Sequence, residues 1–423
     1  MTMGKGSRRL RAVALGALWL LSGVVAGVIV DRQILADGAP SDRIPAAAVP
    51  DFRLMAEAWN LIDEHYVDRK AIKPKRMTYA AISGMVDSLG DTGHSTFLSP
   101  EMVKEARDAV QGHFAGIGAE VRMRDRHVVV VAPLDGSPAQ RDGLHPGDII
   151  YKVDGKDVAG ESLEQVVRKI RGPAGTTVVL SLRDPKTGKT RDVAIVRAVI
   201  KLRSVTWHML PGTRIADLRI ASFSEGTAQA LMKALAQVRA SGAEGLILDL
   251  RNNPGGLLSQ AIGVASQFLS GGDVLLEKNV RGKIRRVPVL RDVPKTRLPM
   301  VVLINSGTAS AAEIVSGALK DAGRATLIGE KTFGTGTVLQ EFPLSNGAAL
   351  MLAVEEWLTP DGHTIWHRGI EPQKVVSLPP NVLPLRPQEE KRLTAAEFRK
   401  TKDKQLLAAL RLLESKLRRH AGV

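Results

Sequence analysis

The sequence predicts a multi-domain α/β protein, and three patterns carry that prediction. Between Leu246 and Ile328, short apolar runs alternate with helical repeats: runs at Leu246–Leu250, Val301–Ile304 and Thr326–Ile328, helical spacing at Leu258–Phe268 and Glu313–Leu319. Such alternation implies βαβ units with right-handed crossovers. Ahead of it, Val128–Ala132, Thr177–Leu182 and Arg191–Val196 read as strands of a separate unit spanning Gly112–Ile200. Ahead of that, Phe52, Met55, Trp59, Ile62 and Tyr66 recur at helical spacing, followed by Ala81, Ile82, Met85 and Val86.

The chain of 423 residues, 44% of them hydrophobic, is long enough for two or three globular units. With no cysteine, disulfides and thiolate metal sites are excluded, and the compartment is left open. The net charge of +15 comes from dispersed clusters at Lys5–Arg11, Lys201–Arg203, Lys278–Arg286 and Lys391–Arg419. Aromatics make up only 4% and do not interleave with these clusters as base-stacking platforms would. The excess charge therefore points to an anionic membrane surface rather than to nucleic acid, a solvated basic surface being the bland alternative.

In chain order, residues 1–11 form a basic tail. Ala12–Val30 is an uncharged apolar run of 19 residues closed by Asp31-Arg32. It is long enough to span a bilayer, and its basic flank places the N-terminus in the cytoplasm. A cleaved signal peptide competes, since Ala26 and Gly27 are small. The apolar run continues to Val30, which favours an uncleaved single-pass anchor, with the rest on the periplasmic or extracellular side. Residues 31–50 read as a linker, 51–111 as an N-terminal helical part and 112–200 as the β-rich unit. Residues 201–380 read as the αβ core and 381–423 as a basic C-terminal helix. Within that last part Ala395–Leu417 is amphipathic, through Phe398, Leu406, Leu407, Leu410, Leu413 and Leu417. It could pack on the core, pair two copies of the chain into a homo-oligomer, or lie on a membrane; packing is the default.

The chemistry concentrates in Asn305–Gln340. An apolar strand, Met300–Ile304, runs into the small residues Ser306–Ala311, and helical spacing follows. Ser310 thus sits where a strand turns into a helix, with free backbone N–H groups beside it. That arrangement serves nucleophilic attack with an oxyanion held by amides, or it serves simply to cap the helix. A second glycine-rich turn, Asp249-Leu250-Arg251-Asn252-Asn253-Pro254-Gly255-Gly256, also follows an apolar strand.

Gly307–Ile314, Gly329–Gly334 and Asp249–Gly256 resemble segments of the carboxyl-terminal processing proteases, serine peptidases of the S41 type with a Ser/Lys dyad. Trp357–Gly362 and Gly369–Pro372 resemble two more, and the resemblance runs from about residue 52 to 378. It implies a core similar to the crotonase and Clp-type peptidase folds, with Ser310 as nucleophile and no metal or organic cofactor. The oxyanion hole would be the N–H groups of Gly256 (Gly255 being the weaker choice) and Ala311. Asp321, eleven after Ser310, lies where some members carry an acid that affects activity; it could equally cap the turn at Gly323.

Gly112–Ile200 looks like an inserted PDZ domain. Phe114-Ala115-Gly116-Ile117-Gly118 resembles its carboxylate-binding loop, and Gly136–Ala139 and Gly143–Ile150 match further segments. Leu163–Ile170 would flank the peptide groove. Substrates would be proteins or peptides with apolar C-termini, added as a strand to a sheet edge. A PDZ domain serving only as a gate or partner module is the alternative.

One departure matters. The family's general-base lysine lies 25 residues after the serine, and that position here is Thr335. The usual glutamine position is Leu339, with Gln340 one place later. A threonine hydroxyl cannot take a proton near neutral pH. Lys331 is a weak replacement, because four residues of extended strand carry it about 13 Å away. His94, in Asp91-Thr92-Gly93-His94-Ser95-Thr96-Phe97-Leu98, resembles the histidine that related tricorn-type peptidases use, and an imidazole acts near neutrality unaided. A histidine fixing the helix–strand junction is its bland alternative. The remaining alternative is a catalytically impaired homologue acting as a PDZ binding or regulatory protein.

Overall fold

The computed structural model describes residues 43–421, apart from 92–94, 125–126, 134–136, 146, 162, 186, 202, 380–381 and 383. The predicted anchor at 12–30 and His94 lie outside the described residues. Among the described residues, no helix is long and apolar enough to cross a membrane.

The chain divides into two compact units, Met1–Met85 and Val86–Val423. The first holds α1 (Val49–His65) and most of α2 (Pro74–Asp87). α1 starts two residues before the predicted Asp51, with Pro50 in its first turn, where a missing N–H costs nothing. Phe52, Met55, Ile62 and Tyr66 of the predicted apolar stripe are exposed.

The second unit opens with β1 (Thr96–Leu98) and α3 (Pro100–Val110). β1 pairs antiparallel with a core strand at Ala349–Met351, so the predicted helical part 51–111 contributes a strand to the core. An inserted β domain follows: β2 (His113–Gly116), β3 (Ala119–Arg124), β4 (His127–Pro133), α4 (Pro138–Arg141), β5 (Ile149–Val153), β6 (Lys156–Asp157), α5 (Leu163–Ile170), β7 (Thr177–Arg183), β8 (Thr190–Val196) and β9 (Ala198–Lys201). Its sheet runs β3-β4-β5-β7-β8, with β6 on β5. β2 and β9 pair as an antiparallel ribbon at its base, His113 opposite Lys201. Val130, Val166, Val178, Leu180, Leu182 and Ile195 form its dry interior. Val166 and Ile170 of α5 therefore face that interior.

The core comprises β10 (Val205–Met209), β11 (Ile215–Ile220), α6 (Thr227–Ala240), β12 (Gly245–Asp249), α7 (Leu258–Ser266), β13 (Asp273–Asn279), β14 (Ile284–Pro288), β15 (Met300–Ile304), α8 (Ala311–Asp321), β16 (Thr326–Gly329), β17 (Thr337–Pro343), β18 (Ala349–Leu358) and β19 (Lys374–Val375). The main sheet runs β10-β11-β12-β15-β16-β19. β11 to β19 are parallel, as the alternation predicts, and β10 is antiparallel. A second sheet, β1-β18-β13-β14 with β17 also on β18, holds the other strands.

Strand alternation gives the main sheet two buried faces. On β15, Met300, Val302 and Ile304 enter the cluster shared with α6, α7 and α8, while Val301 and Leu303 meet Phe398, Leu406, Leu410 and Leu413. Each such side chain is worth about 1.5–3 kcal/mol of burial. The C-terminal part packs on the core, but the helix predicted at Ala395–Leu417 is broken. After α9 (Pro387–Glu390) come α10 (Ala395–Arg399) and α11 (Lys404–Ala421). Asp403 makes the break: its carboxylate accepts the Leu406 and Leu385 N–H groups and pairs with Arg251.

That pairing belongs to a buried charged layer between sheet and C-terminal segment. Arg251, fully buried, donates to both carboxylate oxygens of Asp249 and both of Asp403, at 2.7 to 3.0 Å. Beside it lie Asp217 of β11 and Glu390 of α9, neighbouring carboxyls whose buried oxygens have no hydrogen-bond partner among the described residues. Burial pushes both carboxyls up, the Asp249 charge adding at Asp217 and the Asp217 charge at Glu390. At neutral pH Glu390 keeps its proton.

Candidate active site

Two turns at the ends of adjacent parallel strands build the site. Asn305, just after β15, donates from Nδ2 to the Asn252 Oδ1 and accepts the Asn252 N–H, both at 2.8 Å. Thr308 donates its hydroxyl to the Leu250 carbonyl at 2.9 Å, and the Ala309 N–H reaches the Asn253 carbonyl at 2.9 Å. The glycine-rich turn after β12 and the small-residue turn after β15 are thus one hydrogen-bonded body.

Ser310 sits on that body at φ 53°, ψ −120°, a conformation that L-residues rarely adopt, and α8 begins at Ala311. Holding a non-glycine residue there costs about 1–3 kcal/mol, and such strain gathers at functional sites. The Glu313 N–H goes to the Ser310 carbonyl at 2.8 Å, and Ser310 and Glu313 form a capping box, the serine side chain facing the Glu313 N–H. Ser310 is half-buried.

Gly255 and Gly256 are required by close approach. A Cβ on Gly255 would stand 2.6 Å from the Ser310 Cβ, and one on Gly256 would stand 2.5 Å from the Phe223 carbonyl oxygen. The Gly255 N–H is taken by Asn253 Oδ1 at 2.8 Å. The N–H groups of Gly256 and Ala311 have no acceptor among the described residues. Of the two glycines, Gly256 is the one with a donor to offer.

Glu313 is the residue the sequence reasoning passed over. Fully buried, it accepts four hydrogen bonds. Oε2 takes the Ser310 N–H at 2.8 Å and the Thr335 N–H at 2.9 Å. Oε1 takes the Thr332 hydroxyl at 2.5 Å and the Gly334 N–H at 2.7 Å. Burial raises its pKa, and all four hydrogen bonds pull it back. The signal was present as Ser310-x-x-Glu313, the spacing of a capping box.

Thr335, where the lysine was expected, is therefore buried beside Ser310, joined to it through one carboxylate oxygen. The structure does not bring Lys331 there: half exposed, its ammonium lies 3.0 Å from Glu371. Leu339 and Gln340 lie on β17, where consecutive side chains alternate faces, so Gln340 does not take the place of residue 339. Trp366–Gly369 packs against Gly334 and Gly336, with His367 at φ 56° giving its N–H to the Gly334 carbonyl. Asp321 accepts the Asp361 N–H, tying α8 to the turn after β18.

In the β domain, β2 carries Phe114 to Gly116, and Ile117-Gly118 form the following turn. Gly118 has φ +73°, and a Cβ there would lie 2.4 Å from the Ser137 Cβ. The Ile117 carbonyl accepts the Ala139 N–H. The buried N–H groups of Ile117 and Gly118 have no acceptor among the described residues, which is what an anion-reading loop needs.

Comparison with known proteins agrees with this geometry. Residues 214–376 match the Peptidase family S41 domain and residues 129–184 a PDZ domain. The carboxyl-terminal-processing protease of Synechocystis is 33% identical over 432 positions, covering 97% of this chain and 95% of that protein. The chain belongs to peptidase family S41. The carboxy-terminal processing protease CtpA of Bacillus subtilis is 39% identical over 72% of this chain and 65% of that protein. A photosystem II D1 C-terminal processing protease superposes with a TM-score of 0.52 at 30% identity, over 83% of this chain and 98% of that one. This S41 chain is a serine peptidase of the carboxy-terminal-processing type, with a PDZ domain and an S41 α/β core.

Proposed function

We propose that this S41 chain cuts peptide bonds of protein substrates with Ser310, after its PDZ loop Phe114–Gly118 has read a free, apolar C-terminus. The observation that carries the reading is the strained Ser310, packed against the Gly255–Gly256 turn, with the N–H groups of Gly256 and Ala311 left without an acceptor among the described residues. The Ser310 Oγ attacks the peptide carbonyl while its proton passes to a base. The resulting oxyanion accepts hydrogen bonds from the Gly256 and Ala311 N–H groups. The proton then goes to the leaving amine, and water later releases the acyl group from Oγ. No metal or organic cofactor takes part.

The base is proposed to be His94. Support comes from its flanks: Ser95 is hooked to β18 by the Ala353 N–H, and its own N–H bonds Asp91. The same strand carries Trp357, whose N–H bonds the Gly336 carbonyl beside Thr335. A second reading, a catalytically impaired homologue that binds C-termini or regulates an active relative, is favoured by the buried Thr335 itself. We further propose that Ala12–Val30 anchors the chain and that everything after Asp31 lies outside the cytoplasm.

One degradation assay on a substrate with an apolar C-terminus separates these readings. Turnover should vanish in Ser310→Ala, fall strongly in His94→Ala and largely survive in Lys331→Ala. Thr335→Lys should raise it, provided burial keeps the amine neutral. Activity that survives His94→Ala sinks the histidine base. No turnover in any variant, Thr335→Lys included, selects the binding protein. Equal affinity of the PDZ domain for acid and C-terminal amide peptides would overturn carboxylate reading. Full protection of the chain from protease added to spheroplasts would reverse the orientation.

A further inference from the structure

We infer that the Glu313 carboxylate is a positioning residue that locks the Ser310 turn and the Thr332–Thr335 segment into one unit, holding position 335 against the nucleophile whatever side chain stands there. For activity, the inference rests on the reading of Ser310 as nucleophile; for structure, it stands alone.

A helix cap needs only one of the four bonds that Glu313 makes. The Ser310 N–H bond closes the first turn of α8. The other three cross to a separate segment, to the Thr332 hydroxyl and the Gly334 and Thr335 N–H groups. That segment lies before β17 begins at Thr337, so no ladder partner aligns residue 335. Thr332 extends the lock, since its hydroxyl accepts the Ile370 N–H at 2.7 Å. The Phe333 N–H adds a bond to the Thr308 carbonyl, in the nucleophile's own turn. Every group facing the carboxylate is a donor, so the geometry is built for two acceptor oxygens. The same bonds help to offset the strain of Ser310.

Glu313→Gln tests this in the full chain. The carboxamide has one oxygen, and in either orientation its NH2 faces two donors that the carboxylate had satisfied. Hydrogen–deuterium exchange is read by mass spectrometry on peptides covering 305–314 and 331–337. Both should exchange faster together, by about tenfold or more, with the PDZ strands unchanged. Acceleration confined to 305–314, or absent from both, overturns the lock and leaves a helix cap. Thr332→Val removes a single donor and should give the same two-segment pattern at about fivefold. It carries the test if Glu313→Gln does not fold.

Reactivity adds a second readout. Phosphonylation of Ser310 by a fluorophosphonate should slow about a hundredfold in Glu313→Gln, as for loss of an oxyanion contact. In turnover kcat should fall while KM holds. Coupled exchange in a wild-type chain that never reacts with the phosphonate defeats the peptidase reading and supports the lock. Phosphonylation at the wild-type rate in a Glu313→Gln chain without coupled exchange defeats the lock alone.

Discussion

Glu313 and Asp217 are both carboxyls with no solvent exposure, yet their surroundings differ in kind. Glu313 faces three amides and a hydroxyl, all donating. Asp217 has the Glu390 carboxyl as its neighbour and no hydrogen-bond donor on either oxygen among the described residues. Burial pushes each of these carboxyls up. The difference teaches that the supply of donors, more than depth, decides whether a buried carboxyl works as an anion or as a proton carrier. On the catalytic side the anion organises two chain segments. On the opposite side two carboxyls with raised pKa values lie where the C-terminal segment meets the sheet.

The largest effect that would break this contrast lies at Arg251, the fully buried cation of the charged layer. Arg251→Ala leaves Asp403 buried without its cation and Asp249 with only Arg219, 3.6 Å away, and should cost about 3–5 kcal/mol, read from urea denaturation. A loss below about 1 kcal/mol would mean that the layer's charges are not interdependent.

The pH dependence of stability comes next. Glu390 moves from an ordinary 4.5 to about 11 and Asp217 from 3.8 to about 7. Both are raised by folding, so their contribution is complete below the ordinary values and is lost as pH rises through the folded ones. Above about pH 7 only Glu390 acts, with a slope of at most about 1.4 kcal/mol per pH unit. Glu390→Gln should flatten that stretch of the stability curve; an unchanged slope would mean that Glu390 does not hold its proton there.

Function at Glu313 should run the other way. Its protonated form cannot accept both N–H groups on Oε2, so Ser310 labelling should slow as pH falls toward the raised pKa. Labelling that stays flat on the acid side, in protein still folded, would remove the anion from the mechanism. The smallest effect is Thr332→Val, which deletes one of four donors and should cost about 1 kcal/mol in the same denaturation assay.

What was legible from sequence is what local periodicity encodes. The run Met300–Ile304 and the spacing Ile314, Val315, Ala318 each report a surface buried along one element, and both elements formed as predicted. Ser310 stood out at a strand-to-helix turn, whereas Gly256 and Ala311 were named only through the resemblance of the two turns to the S41 segments. Pairing of β1 with β18 was not, since a three-residue strand says nothing about a partner some 250 positions away. Asp403 looked like one polar position on a helix, and only Arg251 across the sheet explains the break there. Glu313 looked like an N3 acid, and its other three partners become neighbours only after folding. The acid in Ile215-Ala216-Asp217-Leu218 did stand out from an apolar run, a signal that went unused.

The β2–β9 ribbon has a consequence for how such a chain can be rebuilt. The reading domain leaves at His113 and returns at Lys201, paired directly opposite each other. Paired Cα atoms of that kind lie only about 4.5–5.5 Å apart. A short turn could therefore close the gap, and a different recognition domain with adjacent termini could be spliced in without moving the strands on either side. The PDZ domain thus enters and leaves the S41 core through one two-stranded ribbon, a natural splice point.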